Sequence, residues 1–159
     1  LVSILPEALQ IETVELMENK LLLVAGKDFE IPGPASGKQI FEHLTLIYRE
    51  VGSGTRLTME RYLRSNNVPV TKKLELTSNE AVKQAVIAGL GCSIMPLIGN
   101  KTELKHGDLK IIPVDGLPIV TNWNLIYLKN KKFSPVAESY LEYIKEEKNR
   151  IMKENFDWI

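Results

Sequence analysis

Short apolar runs and stripes of apolar residues at helical spacing take turns along this chain, and each kind predicts its own element. Lys20-Leu21-Leu22-Leu23-Val24-Ala25-Gly26, inside Leu16 to Gly26, is a compact apolar strand. Ile31 to Lys38 holds two prolines and two glycines and reads as a loop. A short helix over Lys38–His43 leads into the strand Thr45–Arg49, where Leu44 to Tyr48 mixes β-branched and aromatic residues. Gly54 to about Ser65 follows as a helix. Met59, Tyr62 and Leu63 share its inner face, Arg61 and Arg64 point away, and Glu60 pairs with Arg64 one turn on. Asn66-Asn67 stops it. Lys72–Leu76 alternates as a strand, and Ala81, Val82, Ala85 and Val86 form the stripe of a helix that Gly89-Leu90-Gly91 ends. Further strands fall at Ser93–Met95, Leu109–Val114 and Trp123–Leu128, the last two separated by the turn Asp115-Gly116-Leu117-Pro118. Ser134-Pro135 opens a final helix that buries Ala137, Tyr140, Leu141 and Ile144 and runs into the charged Lys145–Arg150. Strands that alternate with helices predict an α/β fold with a largely parallel sheet. Ligands in such folds gather where strands end and helices begin.

Two such junctions carry chemistry. In Arg49-Glu50-Val51-Gly52-Ser53-Gly54-Thr55-Arg56 the glycines free the backbone to turn tightly and approach a ligand, and Ser53 is placed to cap the helix behind it. The unpaired N–H groups of that helix start favour a carboxylate or phosphate. At the second junction, Thr77-Ser78-Asn79-Glu80 matches a capping box, with Thr77 capping forward and Glu80 reaching back. Two junctions at one sheet edge could clamp a single ligand. Plain capping is the competing role for Thr77, Glu80 and Ser53, and a solvated first-turn position is the competing role for Arg56. The residues alone lead to a small polar or anionic molecule and no further.

Composition narrows the field. A chain of 159 residues amounts to about one domain. Its 20 basic and 20 acidic side chains cancel, so this segment offers no basic field for direct DNA contact, though a fused domain could supply one. Cys92 is the single cysteine, which rules out an internal disulfide and a cysteine zinc site. A reducing, intracellular compartment fits, with Cys92 as a small buried hydrophobe. His43 and His106 do not make a metal pair, and no apolar run is long enough to span a membrane. The chain opens on Leu without a signal-peptide pattern, as expected of a fragment or a processed chain. Gly-Ser-Gly is not the Gly-x-Ser-x-Gly elbow of a hydrolase, and the stretch lacks a P-loop's Gly-Lys-Ser/Thr ending. Glu50 and Glu80 flank the loops without a sign that they converge. No catalytic residue, metal or cofactor is assigned.

Thr77 to Pro96, with its helix, its Gly-Leu-Gly turn and its strand ending in proline, resembles the effector-binding domain of LysR-type transcriptional regulators. Arg49–Arg56 is similar to that family's glycine-serine loop, and Phe133 to Leu141 to the start of its last helix. The three motifs occur in the family's order, and the likeness runs from about Leu16 to about Ile144. Gly116-Leu117-Pro118 and Trp123-Asn124-Leu125-Ile126 resemble the subgroup that regulates the RuBisCO operon. The resemblance implies a type 2 periplasmic-binding-protein-like α/β fold with a complete second lobe and a partial first lobe. Residues 1–25 would be a remnant of lobe one and the first hinge strand, 26–123 lobe two, and 124–159 the second hinge strand with a helix that returns to lobe one. A winged helix-turn-helix and the start of lobe one are expected to precede Leu1. Exposed apolar surface is expected on the helix from Ser134 to Ile151.

The implied function is the sensing of a small anionic metabolite in a cleft between lobes, by a cytoplasmic regulator. That regulator would be a homodimer or higher oligomer which reaches DNA only through the winged domain and does not touch membranes. Carried over position by position, the effector contacts are Ser53, Gly54, Thr55, Thr77, Ser78 and Asn79. Arg49 or Arg56 would supply a bidentate charge contact, and Trp123 would pack the hinge or core. The alternative is a solute-binding protein, or an enzyme such as a dehydratase or phosphoribosyl transferase, on the same scaffold.

Overall fold

The computed structural model of the chain describes residues 2–6, 9–30, 37–156 and 158. Its elements, in order, are β1 (Ile11–Gly26), a 3-10 turn (Gly37–Glu42), β2 (Thr45–Arg49), α1 (Gly54–Ser65), β3 (Lys72–Leu76), α2 (Asn79–Ile87), β4 (Ser93–Pro96), α3 (Lys101–His106), β5 (Leu109–Ile111), β6 (Ile119–Leu128) and α4 (Pro135–Phe156). The chain divides into two compact units, Lys20–Val120 and Leu1–Asn19 with Thr121–Ile159. Most of the loop expected at 31–38 lies outside the described residues.

In the unit Lys20–Val120, the helices lie on both faces of the strands, and the alternation of strand side chains shows why. Leu46 and Tyr48 of β2 join Met59 and Leu63 of α1 in one buried cluster, whereas Ile47 between them joins Val82, Ala85 and Val86 of α2 in another. β1 does the same, with Leu21, Leu23 and Ala25 on the α1 side and Val24 on the α2 side. A strand buried on both faces must be apolar throughout, as Leu21 to Ala25 is. Cys92 is fully buried in the first cluster, and burial pushes its thiol up to about 12, so it packs as a hydrophobe.

The sheet is mixed, not largely parallel. β2 and β3 are parallel and Leu46 bridges Cys92 in the same sense, but β1 pairs antiparallel with both β4 and β5. The antiparallel partners arise because β1 is a single 16-residue strand entering from the other unit, which no strand-helix-strand count reveals. β3 is an edge strand on β2, and its residues Lys72 to Glu75 are all exposed, so its alternation does not mark a buried face. β5 stops at Ile111 rather than Val114, β6 begins at Ile119 rather than Trp123, and the short α3 has no counterpart in the sequence reading.

Helix α1 keeps the bounds its stripe predicts. It ends with Asn67 in the left-handed region (φ 51°) while the Asn67 and Val68 N–H groups reach back to Arg64 and Leu63. Glu60, however, pairs one turn back with Arg56 at 2.8 Å and not forward with Arg64, whose Nε meets only the Glu60 carbonyl. The unit Leu1–Asn19 with Thr121–Ile159 is held by Val14, Met17 and Leu141, and by an edge contact of Tyr127 on Phe133 at 5.1 Å. Ser134 Oγ accepts from the Ala137 N–H at the α4 start, with Pro135 at the first helical position. Of the four residues expected to be buried by α4 only Leu141 is. Tyr140 is 58% exposed, and Val136 and Tyr143 are exposed beside it, the apolar surface anticipated on this helix.

Candidate functional site

The parallel register of β2 and β3 sets Arg49 opposite Leu76, so both strands end together and their two following junctions stand side by side. This is the arrangement in which two helix starts can serve one ligand. The first junction is a tight turn closed by the Ser53 N–H on the Glu50 carbonyl at 3.2 Å, with Gly52 at φ +94°, where a side chain would be strained. The Ser53 carbonyl takes the first helical bond, from the Leu57 N–H at 3.0 Å. Its hydroxyl makes no cap hydrogen bond, contrary to expectation. Ser53, Gly54 and Thr55 are half-buried at the mouth of α1.

At the second junction the cap is shifted by one residue. Ser78, not Thr77, is the N-cap, and its Oγ accepts from the Ala81 N–H at 3.0 Å. Glu80 does not reach back. Its carboxylate accepts from Gln84 at 2.9 Å and pairs with Lys83 at 2.9 Å, both further along α2. The capping box therefore does not form, because a helix that starts at Asn79 puts Ala81, without a polar side chain, at its third position. Thr77 and Asn79 are exposed on either side of the cap. Replacing Ser78 with Ala is expected to lower stability by about 1 kcal/mol in urea denaturation, and Thr77→Ala by much less. Equal losses would place the cap back at Thr77.

Arg49 joins the two junctions. Its guanidinium forks onto Glu50, Nε to Oε2 and Nη2 to Oε1, both at 2.7 Å, while Nη1 donates to Asn79 Oδ1 at the start of α2. The Arg49 hydrogen bond holds the Glu50 carboxyl down to about 2. A guanidinium has five N–H donors in a planar fork, and the bonds here use three. Arg56 has a different role from the solvated one. Its side chain is 14% exposed, and it donates to Glu60 at 2.8 Å, Glu75 at 2.5 Å and the Arg49 carbonyl at 3.0 Å, over the Tyr48 ring at 5.6 Å. It fastens α1 to β2 and β3 behind the turn. Lys83 is buried within an otherwise apolar stripe, a place the sequence pattern alone does not reveal. Its signal was Glu80 three residues earlier, but its stronger partner, Glu103 at 2.7 Å, lies on the α3 that no pattern announced.

Among the described residues no group of three or more His, Cys, Asp or Glu could hold a metal ion. No helix among them is long and apolar enough to cross a membrane. What the junctions offer is hydroxyls, helix N–H groups and one guanidinium, a set suited to an oxyanion.

The family model of the LysR substrate binding domain matches residues 2–149. The chain belongs to this family. It is 37% identical over 142 residues to the HTH-type transcriptional activator CmpR of Synechocystis, covering 87% of this chain and 46% of that protein. With the RuBisCO operon transcriptional regulator of Allochromatium vinosum it shares 34% over 152 residues, 95% of this chain and 50% of the relative. The chain thus spans about half the length of the curated relatives it matches. The regulatory domain of Synechocystis CcmR, solved in complex with 2-PG, superposes with a TM-score of 0.81 at 31% identity, over 91% of this chain and 70% of that one. This LysR domain therefore has the two-lobed periplasmic-binding-like fold and is the effector-binding part of a LysR-type regulator, similar to regulators of the RuBisCO operon.

Proposed function

We propose that this LysR domain senses a small anionic metabolite at the paired junctions after β2 and β3. Ser53, Gly54, Thr55, Thr77, Ser78 and Asn79 contact it, and Arg49 supplies the positive charge. The observation that carries this reading is the Arg49–Asn79 hydrogen bond, which brings the guanidinium to the α2 start and ties the two candidate segments into one surface. Ser53 contributes a hydroxyl that capping does not use. Ser78 can donate its hydroxyl proton to an oxyanion while its oxygen accepts from Ala81. Arg56 positions the turn from behind through the Arg49 carbonyl, without touching the effector.

In the whole regulator, effector binding favours one arrangement of the domain over another, and differential affinity for the two sets the size of the response. A winged helix-turn-helix outside this segment reads DNA, and the regulator works in the cytoplasm as a homodimer or higher oligomer, without catalysis. Because the CcmR regulatory domain is bound to 2-PG, 2-PG is the first compound to test. A ligand that binds only the native state raises its stability, by about 2.7 kcal/mol at a hundred times Kd. The expected result is a dose-dependent rise in melting temperature with 2-PG or with another phosphate or carboxylate of a small panel, lost in a Thr77→Val, Asn79→Leu double variant. A flat response across the panel overturns the reading.

A further inference from the structure

We propose that the groove between the C-terminal half of α1 and the chain leading from it into β3 is a separate small-molecule site, which takes an α-amino acid with an aromatic side chain. The groove lies in the same unit as the paired junctions but shares none of their residues, so it does not depend on the anion site. Its volume is about 450 Å³, within the range of about 300–1,000 Å³ that small-molecule sites occupy. At about 30 Å³ for each water in the liquid, it admits a compound of about fifteen non-hydrogen atoms. The lining is apolar in part, with Leu63 buried and Val68 and Val70 half-buried against the same cluster.

Two opposite charges line the same groove. Glu60 and Arg64 stand one turn apart on α1, a spacing at which an acid and a base commonly neutralise each other, yet their side chains do not pair. Glu60 Oε1 accepts from Arg56 Nε at 2.8 Å, and Arg64 Nε donates to the Glu60 backbone carbonyl at 3.3 Å. Glu60 Oε2 and both Nη groups of Arg64 have no partner among the described residues. Tyr48, 6% exposed, adds a third polar group, and its hydroxyl has no hydrogen-bond partner among the described residues either. Burial, then the Glu60 carboxylate, raise the pKa of that hydroxyl against the opposing Arg56 charge, so it stays neutral, able to donate and to accept. A buried hydroxyl without a partner is uncommon in a folded protein, and a ligand that bonds it removes the deficit.

An acid beside a base disfavours an ion of either sign, because each meets a like charge. A zwitterion meets two opposite ones. Its ammonium bonds Glu60 Oε2 and the Tyr48 oxygen, its carboxylate takes the Nη groups of Arg64, and its side chain lies on Leu63, Val68 and Val70. The volume sets the size of that side chain as a ring.

The test titrates the chain with four compounds while the backbone amide shifts are followed. L-Phenylalanine carries all three features, phenethylamine lacks the carboxylate, 3-phenylpropionate lacks the ammonium and glycine lacks the ring. L-Phenylalanine is expected to shift the amides of residues 60–70 saturably, and each of the others to bind at least about tenfold more weakly. Arg64 is exposed, so Arg64→Met keeps the fold. It is expected to bring L-phenylalanine down to the affinity of phenethylamine and to leave phenethylamine itself unchanged. Tyr48→Phe keeps the ring and is expected to weaken L-phenylalanine severalfold. Equal affinity for L-phenylalanine and the two singly charged compounds overturns the proposal, as does unchanged selectivity in Arg64→Met. No shift up to the solubility of the amino acid also overturns it, and so do shifts centred on residues 53–55 and 77–79 in place of the groove.

Discussion

Replacing Gly91 with alanine is expected to cost on the order of 3 kcal/mol or more of stability, enough to lower the melting temperature by about 10 °C. A Cβ at this position would stand 2.3 Å from the Thr45 carbonyl oxygen and 3.2 Å from an Ile47 side-chain carbon. The first of these is backbone, so no rotamer change relieves it. Gly91 comes so close because its neighbour stitches β2 to β4. The Cys92 N–H donates to Thr45 O at 2.9 Å, and the Ile47 N–H donates to Cys92 O at 2.8 Å. Pushing the chains apart to admit a methyl group stretches these bonds between strands whose side chains are buried on both faces. Thermal and urea denaturation check the expectation, with Gly89→Ala as a comparison. Gly89 has open space around its missing Cβ, and there the loss comes only from its positive φ, about 1–2 kcal/mol. Equal losses at the two glycines would mean that β2 and β4 yield, and that the close approach is not a rigid feature of the domain.

The same glycine shows how far the sequence was legible. Gly89-Leu90-Gly91 marked the end of a helix, which Gly89 and Leu90 perform through their bonds to Val86 and Ala85. The tight packing at Gly91 is a tertiary fact that no local pattern carries. Elements buried on one face are legible, since the stripe of Met59, Tyr62 and Leu63 marks α1 at Gly54–Ser65. Elements without such a stripe are not. The short α3 has no buried residue, and β3 alternates at an exposed edge. The site divides in the same way. That two strand-helix junctions share one edge followed from the alternation of elements, and the Arg49↔Leu76 register bears it out. Which hydroxyl caps and which stays free depends on a one-residue shift of the α2 start, against the motif, which Thr77 matches through Glu80 and which Ser78, with Ala81 at the third position, does not. Charged partners were least legible. Arg56 finds Glu75 across 19 residues and Lys83 finds Glu103 across 20, pairs that exist only once strands and helices are stacked.

These pairings also decide which arginine is available to a ligand. Arg56 is engaged by two carboxylates and a carbonyl and covered by Tyr48, so an anion would have to displace carboxylates that already satisfy it. Arg49 faces one carboxylate, Glu50, and one neutral amide, Asn79, which leaves one N–H on each Nη of its guanidinium. Under the proposed function, Arg49 is therefore the arginine that can add an oxyanion to its present partners.

Arg49→Met is therefore expected to weaken 2-PG, or whichever anion the panel selects, by about ten- to a hundredfold, the loss of hydrogen bonds to a charged group at about 1.5–3 kcal/mol. Calorimetric titration measures it. The melting temperature of the unliganded domain should stay close to that of wild type, because the Glu50 partner lies at the surface and regains water. Arg49→Lys keeps the charge but loses the fork, and should fall between the two. Arg56→Met should do the reverse, since it removes the tie among α1, β2 and β3, so its melting temperature drops while the affinity of the remaining folded protein falls less. If Arg49→Met binds as tightly as wild type and Arg56→Met does not, the anion is held on the α1 side of the turn. The Arg49–Asn79 bond would then be a structural brace between two helix starts.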